Sequence, residues 1–204
     1  MHDEILSESQ KALLPLIGRF SSVFGLVGGT AIALHLGHRR SIDFDLFTPK
    51  DFDGSKLKAV IREKNKIQET LVENPNQLTL LVDGVNMTFY KYPFPIVFSE
   101  KFNGLIRLPD LLTLAAMKAF ALGQRAKWKD YVDLSFIFEK FSLKDVATKA
   151  SELFGSEFNG KLLREQLSYF KDIDYSEKID YLEGFEKNDK EITEFLSEVS
   201  LEKP

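Results

Sequence analysis

A short apolar run, "SVFGLV", stops at two adjacent glycines, Gly28 and Gly29, and gives way at once to "TAIALHL", which reads as a helix. A second apolar segment, "SIDFDLF", follows after the basic loop "GHRR". This order of strand, glycine turn, helix and strand constrains the chain most. Glycine lacks a Cβ, so the turn lets backbone approach another group closely. "SIDFDLF" alternates with the period of a strand. That places Ile42, Phe44 and Leu46 toward a core and Asp43 and Asp45 on the opposite face, about 6.6 Å apart along the strand. Two like charges on one face repel, so something positive must share their space.

The remaining chain supplies a small mixed sheet and then helices. Residues 3 to about 20 have helical spacing, with Pro15 as a kink or break. Thr30 is placed to cap the helix after the glycines, and Ser55 to cap one over 56–66. The strands "LTLLV" and "VNMTFYK" flank Asp83-Gly84, which favours a tight hairpin. "YPFPIVF" reads as an extended connection, since each proline disfavours helix. "PDLLTLAAMKAFAL" and "KWKDYVDLSFIFEKF" read as helices. Ser142 with Asp145 makes a capping box, with Gly155 as the stop. Two or three further helices fill 157–200. The expected fold is α+β: a mixed sheet with flanking helices over 1–95, and a helical region over 96–204 packed against it.

The 204 residues include no cysteine, which excludes disulfides and thiolate metal sites. The formal charge of −4 excludes a surface that binds nucleic acid throughout, though basic residues bunch in "GHRR" and "GQRAKWK". The charged start "MHDEILSESQK" lacks the plan of a signal peptide, and no apolar run reaches membrane-spanning length. A soluble, cytoplasmic protein without membrane contact is expected.

The carboxylate pair calls for a hard divalent cation, because Mg²⁺ takes oxygen ligands and is held by one or two carboxylates together with substrate phosphates. The amides of the first helical turn after Gly28 and Gly29 suit an anion such as phosphate. A phosphate cradle and a metal-binding pair within one strand–helix–strand unit make a phosphoryl-transfer site. The histidines do not form a zinc pattern: His2 is terminal, His35 lies in the helix, and His38 is expected at the surface of the basic loop.

"VGGTAIALHLGHRRSIDFDLF" resembles the first motif of the nucleotidyltransferase toxins of the AbiEii/AbiGii type, in the polymerase-beta-like nucleotidyltransferase superfamily. "KAFALGQRAKWKDYVDL" resembles the second recognisable segment of that family, and the likeness covers roughly residues 20 to 140. It implies a nucleotidyltransferase core that moves a nucleoside monophosphate from an NTP and releases pyrophosphate. Asp43 and Asp45 would hold Mg²⁺, or Mn²⁺ in its place, while Gly28, Gly29 and Thr30 contact the triphosphate. Ser41 would bind phosphate or itself be modified, and Arg39 or Arg40 would neutralise developing charge. Lys118 would contact phosphate, and Asp130, in preference to Asp133, would be the functional carboxylate of the later segment.

The resemblance further implies a toxin with a cognate antitoxin protein, acting on an RNA acceptor such as a tRNA end along "GQRAKWK". One departure stands out. Many members of the superfamily carry a third carboxylate on a neighbouring strand, whereas "VNMTFYK" offers Asn86, Thr88 and Tyr90. Asp83 lies in the turn, and Glu69 and Glu73 lie on a less certain strand. Either Asp130 does that work from the helix, or catalysis uses only two carboxylates. Two other readings stay open: a nucleotide-binding protein that acts through a partner, and a transferase for a small molecule such as an aminoglycoside.

Overall fold

The computed structural model describes residues 1–202. Helix α1 (Glu8–Phe20) begins at a reciprocal cap, in which Ser7 and Gln10 exchange side-chain and backbone hydrogen bonds. A separate 3₁₀ turn over Asp3–Ile5 precedes it, so the helix expected from residue 3 starts at residue 8, and Pro15 lies within it without ending it. Strand β1 (Gly25–Val27) leads into α2 (Gly28–Leu36), which ends at Gly37 in the left-handed conformation. Strand β2 (Phe44–Thr48) and helix α3 (Gly54–Arg62) follow. The cap of α3 is Asp53, whose carboxylate accepts from the Ser55 and Lys56 amides, and not Ser55 as expected.

Strands β3 (Ile67–Asn74), β4 (Gln77–Val82) and β5 (Val85–Lys91) complete the sheet, in the order β1-β2-β5-β4-β3. The pair β2/β5 is parallel and the other pairs are antiparallel. The chain thus leaves β2 through α3, runs to the sheet edge as β3, and returns through β4 to lie beside β2. At the β4–β5 turn both Asp83 and Gly84 have positive φ, as the tightest hairpin requires.

One face of the sheet is covered over β2, β5 and β4. Phe44, Leu46, Met87, Phe89, Leu78 and Leu80 are buried there, and Phe20 and Phe24 stand edge-on to Phe89 at 5.1 and 5.2 Å. The other face carries Asp45, Phe47, Thr88 and Tyr90, and it becomes the floor of the site.

After residue 95 a short hairpin, β6 (Glu100–Phe102) with β7 (Ile106–Leu108), precedes the helices and was not anticipated. Its turn residues Asn103 and Gly104 both have positive φ. "NG" was the available signal, and the three-residue strands were too short to show alternation. Helices α4 (Leu111–Leu122), α5 (Trp128–Ile137) and α6 (Leu143–Phe154) match the expected segments. The Ser142/Asp145 box starts α6, and Gly155 ends it. Helices α7 (Gly160–Leu167) and α8 (Asp189–Ser200) follow. A hydrophobic core continues from the sheet into α4, α5, α6 and α8.

An ionic cluster within that core ties the loop after α2 to α4 and α5. Asp133 accepts from Arg39 through Nε at 2.7 Å and Nη2 at 2.9 Å, and pairs with His38 Nε2 at 2.8 Å and Lys118 Nζ at 2.9 Å. Burial would raise the Asp133 carboxyl, but Arg39 and Lys118 outweigh it and hold the group well below the usual range. His38 is buried, not at the surface as expected, and its burial outweighs Asp133 and lowers its pKa.

Removing the Asp133 carboxylate leaves the buried Arg39 guanidinium without its carboxylate partner, so Asp133→Ala should cost about 3–5 kcal/mol. Urea unfolding at neutral pH checks this. Because the folded pKa is depressed, the contribution holds above the carboxylate range and is lost only as pH falls through the folded value.

Candidate active site

The register of β1 and β2 sets the geometry. Val27 is paired with Asp45, so the residue after Val27, Gly28, turns directly beside the Asp45 side chain. Gly28 has φ +71°, and a Cβ there would collide with Asp45 Oδ2. At Gly29 a Cβ would come within 2.8 Å of Arg39 Nη2 and 3.1 Å of Ser41 Oγ. Both glycines are thus required by close approach, one to the acid and one to the loop that follows α2. Val27 provides no side-chain cap, so the first turn of α2 presents its amides beside the glycines.

Strand β2 begins at Phe44, one residue later than Asp43. Ile42 is therefore 67% exposed instead of turned to the core. Residues 41–43 lie outside the ladder and are fixed by side chains. Gln10 Nε2 donates to the Ser41 carbonyl at 2.7 Å, and Thr30 Oγ1 donates to Ser41 Oγ at 3.0 Å and to the Asp43 carbonyl. Thr30 is buried in the first turn of α2 and is not its cap, since its hydroxyl is spent on the aspartate segment. Gln10 was not singled out in the sequence. Its place in a capping box gave no hint that its amide reaches 31 residues onward.

Asp43, Asp45, Gly28, Gly29, Ser41 and Lys118 line one cleft of about 420 Å³. Arg39 also lines it, although Asp133 holds its guanidinium in a fork. Asn86, on β5, donates to Asp43 Oδ1 at 3.1 Å from the place where an acid was sought. Asp45 is pushed up to about 6, first by burial and then by the Asp43 charge, while Lys118, Lys129 and Arg125 act in the opposite direction through space.

The rim of the cleft is basic, with Arg125, Lys127 and Lys129 lining it. Glu177, from the segment between α7 and α8, accepts from Lys127 at 2.6 Å and also from Lys129. No local pattern marks Glu177, which reaches the cleft only through tertiary folding.

Asp130 lies under the cleft and does not line it. It is buried and accepts from Lys118 Nζ at 2.7 Å and Arg125 Nε at 3.1 Å. Burial would raise its carboxyl, but Lys118 and Arg125 lower it overall. Such a group orients two cations and is poorly suited to accept a proton. Lys118, in turn, is disfavoured as a cation by burial, yet Asp133 and Asp130 raise its pKa, so its ammonium stays charged at the floor of the cleft. Arg40 lies outside the cleft, with Nη1 donating to the Glu4 carbonyl at 3.1 Å.

The donor set of Asp43 and Asp45 is all oxygen and fits a hard divalent cation such as Mg²⁺ or Mn²⁺. Among the described residues no group of three or more His, Cys, Asp or Glu gathers to hold a metal. No helix of the described residues is long and apolar enough to cross a membrane.

Known proteins resemble this chain in sequence and in fold. A protein of Aquifex aeolicus with no assigned role is 32% identical over 179 residues, covering 85% of this chain and 84% of that protein. The fold is similar to MenT4, a nucleotidyltransferase toxin from Mycobacterium tuberculosis, with a TM-score of 0.61 and 13% identity over 95% of this chain and 82% of that one. It is also similar to JHP933 from Helicobacter pylori, with a TM-score of 0.57 and 16% identity over 96% of this chain and 91% of that one. The sequence matches the family described as "Nucleotidyl transferase AbiEii toxin, Type IV TA system" over residues 18–203. A glycine turn set against paired aspartates is thus found in a chain that belongs to the AbiEii nucleotidyltransferase toxin family.

Proposed function

We infer that the protein transfers a nucleoside monophosphate from an NTP to an RNA acceptor, with a divalent cation, as the toxin of a toxin–antitoxin pair. The observation that supports this most is the contact of Gly28 with Asp45, which puts a helix N-terminus and two carboxylates around one cleft. Asp43 and Asp45 would hold Mg²⁺, which when bound supplies charge neutralisation for the phosphates. Gly28 and Gly29 would receive the triphosphate on the amides of α2, with the Ser41 hydroxyl beside them.

In this reading an acceptor hydroxyl attacks the α-phosphorus, and the bond to the bridging oxygen of the β-phosphate breaks to release pyrophosphate. Lys118 and Arg125 face the departing charge, held there by Asp130. Asn86 is an amide and cannot take the proton of the attacking hydroxyl, so in this reading that proton passes to a carboxylate of the aspartate pair. Lys127 and Lys129 at the rim suit the phosphodiesters of the acceptor. The family supports an antitoxin partner, and the division near residue 95 between a transferase core and a helical region remains our proposal.

Incubation with each labelled NTP, Mg²⁺ and total RNA tests the reading. Label should enter RNA with the wild type and fall at least about 100-fold with Asp43→Ala, the scale on which such charge stabilisation operates. Label in RNA that is indifferent to the substitution removes Asp43 from the reaction. Label that appears only on a small molecule moves the acceptor out of the nucleic acids.

Asp45 allows a second test. Its carboxyl titrates near 6 when folded against 3.8 ordinarily, so folding is favoured fully below about 4 and loses stability as pH rises toward 6. Asp45→Asn should therefore be more stable than the wild type at pH 7.5 without divalent cations, by about 1–2 kcal/mol after allowing for partial solvent access. The difference should close near pH 4. Thermal unfolding checks the sign, and added Mg²⁺ should raise the midpoint of the wild type only.

A further inference from the structure

A second cavity of about 260 Å³ opens from the polar cleft, and the two share Gly28, Asp45, Lys118 and Arg125. Its chemistry is different. The walls are Phe47, Tyr90 and Tyr92 from the sheet side and Met117, Phe120 and Gln124 from α4 and its end. Phe47 is in register with Tyr90 across β2 and β5, with ring centroids 5.1 Å apart, and Phe47 and Tyr92 are 5.0 Å apart. Unlike the phenylalanines under the sheet, Phe47, Tyr92 and Phe120 are only partly buried. They keep faces open to the cavity.

Position decides what such a chamber can hold. Phe47 follows Asp45 on the same face of β2, about 6.6 Å along the strand, close to the reach of a ribose between phosphate and base. Asp45 lines both cavities, while Asp43 and Asn86 line the polar cleft and not the aromatic one. On the Asp43 side a neighbouring hollow is lined by Ile42, Arg40, Lys129 and Lys178 together with Glu177 and Asp180. The two ends thus differ in character, one aromatic and the other charged.

We propose that the aromatic cavity is the nucleoside subsite of the donor NTP, with the base packed among the mutually tilted rings of Tyr90, Tyr92 and Phe47, face to face with one of them, and the Gln124 amide at the rim to hydrogen-bond its edge. Every base has a π-face, so stacking alone admits any of the four NTPs, and an amide that both donates and accepts is the group able to distinguish them. The acceptor then enters from the Asp43 side. The proposal rests on the reading of the glycine turn as a triphosphate site, and the experiment separates the two.

Calorimetric titration of each NTP and of inorganic tripolyphosphate, with Mg²⁺, is compared for the wild type, Tyr90→Leu, Tyr92→Leu and Gln124→Ala. The wild type should bind at least one NTP about tenfold or more tightly than tripolyphosphate. The tyrosine variants should lose that margin while binding tripolyphosphate as before, which also shows that they are folded. Gln124→Ala, at an exposed position, should narrow the differences among the four NTPs. A wild type that binds tripolyphosphate as tightly as any NTP, or variants that keep the margin, overturns the subsite and leaves the triphosphate site standing. Binding of neither ligand overturns both. A change in KM for RNA without a change in NTP affinity gives the cavity to the acceptor instead.

Discussion

The antiparallel pairing of Val27 with Asp45 is the constraint on which the site depends. A strand pair with this register carries its last residue, and the turn after it, past a particular side chain of its neighbour. Here the side chain is an acid and the turn is glycine, so backbone amides and a carboxylate approach to a distance that no Cβ would allow. Shifting the register by one residue would replace Asp45 with a core side chain, because alternate residues of a strand face opposite ways. The parallel pairing of β2 with β5 then adds Asn86 beside Asp43 and Tyr90 beside Phe47.

Electrostatic strain is arranged in layers around that pairing. Burial, and after it the charge of Asp43, pushes the Asp45 carboxyl up to about 6. Beneath them acids and cations are paired: Asp130 and Asp133 hold Lys118, Arg125 and Arg39, and His38 hydrogen-bonds Asp133. The matched layer fixes the positions of cations that face the unmatched one. A site that binds a metal and a polyphosphate is expected to look like this, because the ligands complete a charge balance that the protein alone leaves open.

Local signals in the sequence were good guides to the elements. The capping box at Ser142, the Asp83-Gly84 hairpin and the α4 and α5 segments appear where their residues imply, since caps, turns and helical spacing are properties of a few neighbouring residues. Where a signal had two readings, the wrong one was chosen at Ser55, Thr30 and Ile42. At Thr30 the hydroxyl that could have capped a helix instead donates to Asp43 across the fold. At Ile42 the alternation of apolar residues ran one step beyond the ladder, because residues 41–43 are held by Gln10 and Thr30 and not by a strand partner. His38 is buried and not at the surface for the same reason, since its burial is set by distant neighbours.

What the sequence by itself determined is the set of chemical parts and their local order: paired glycines at a helix start, acids two apart beside them, and a lysine and arginine on later segments. These follow from backbone geometry over a few residues. Only the tertiary structure decided which acids face the cleft and which neutralise cations below it, that Glu177 reaches the rim lysines, and that Phe47, Tyr90, Tyr92 and Phe120 enclose a cavity. The reason is physical. Burial and charge pairing depend on segments far apart in the chain, and a carboxylate becomes a ligand or a counter-ion according to what the fold places beside it.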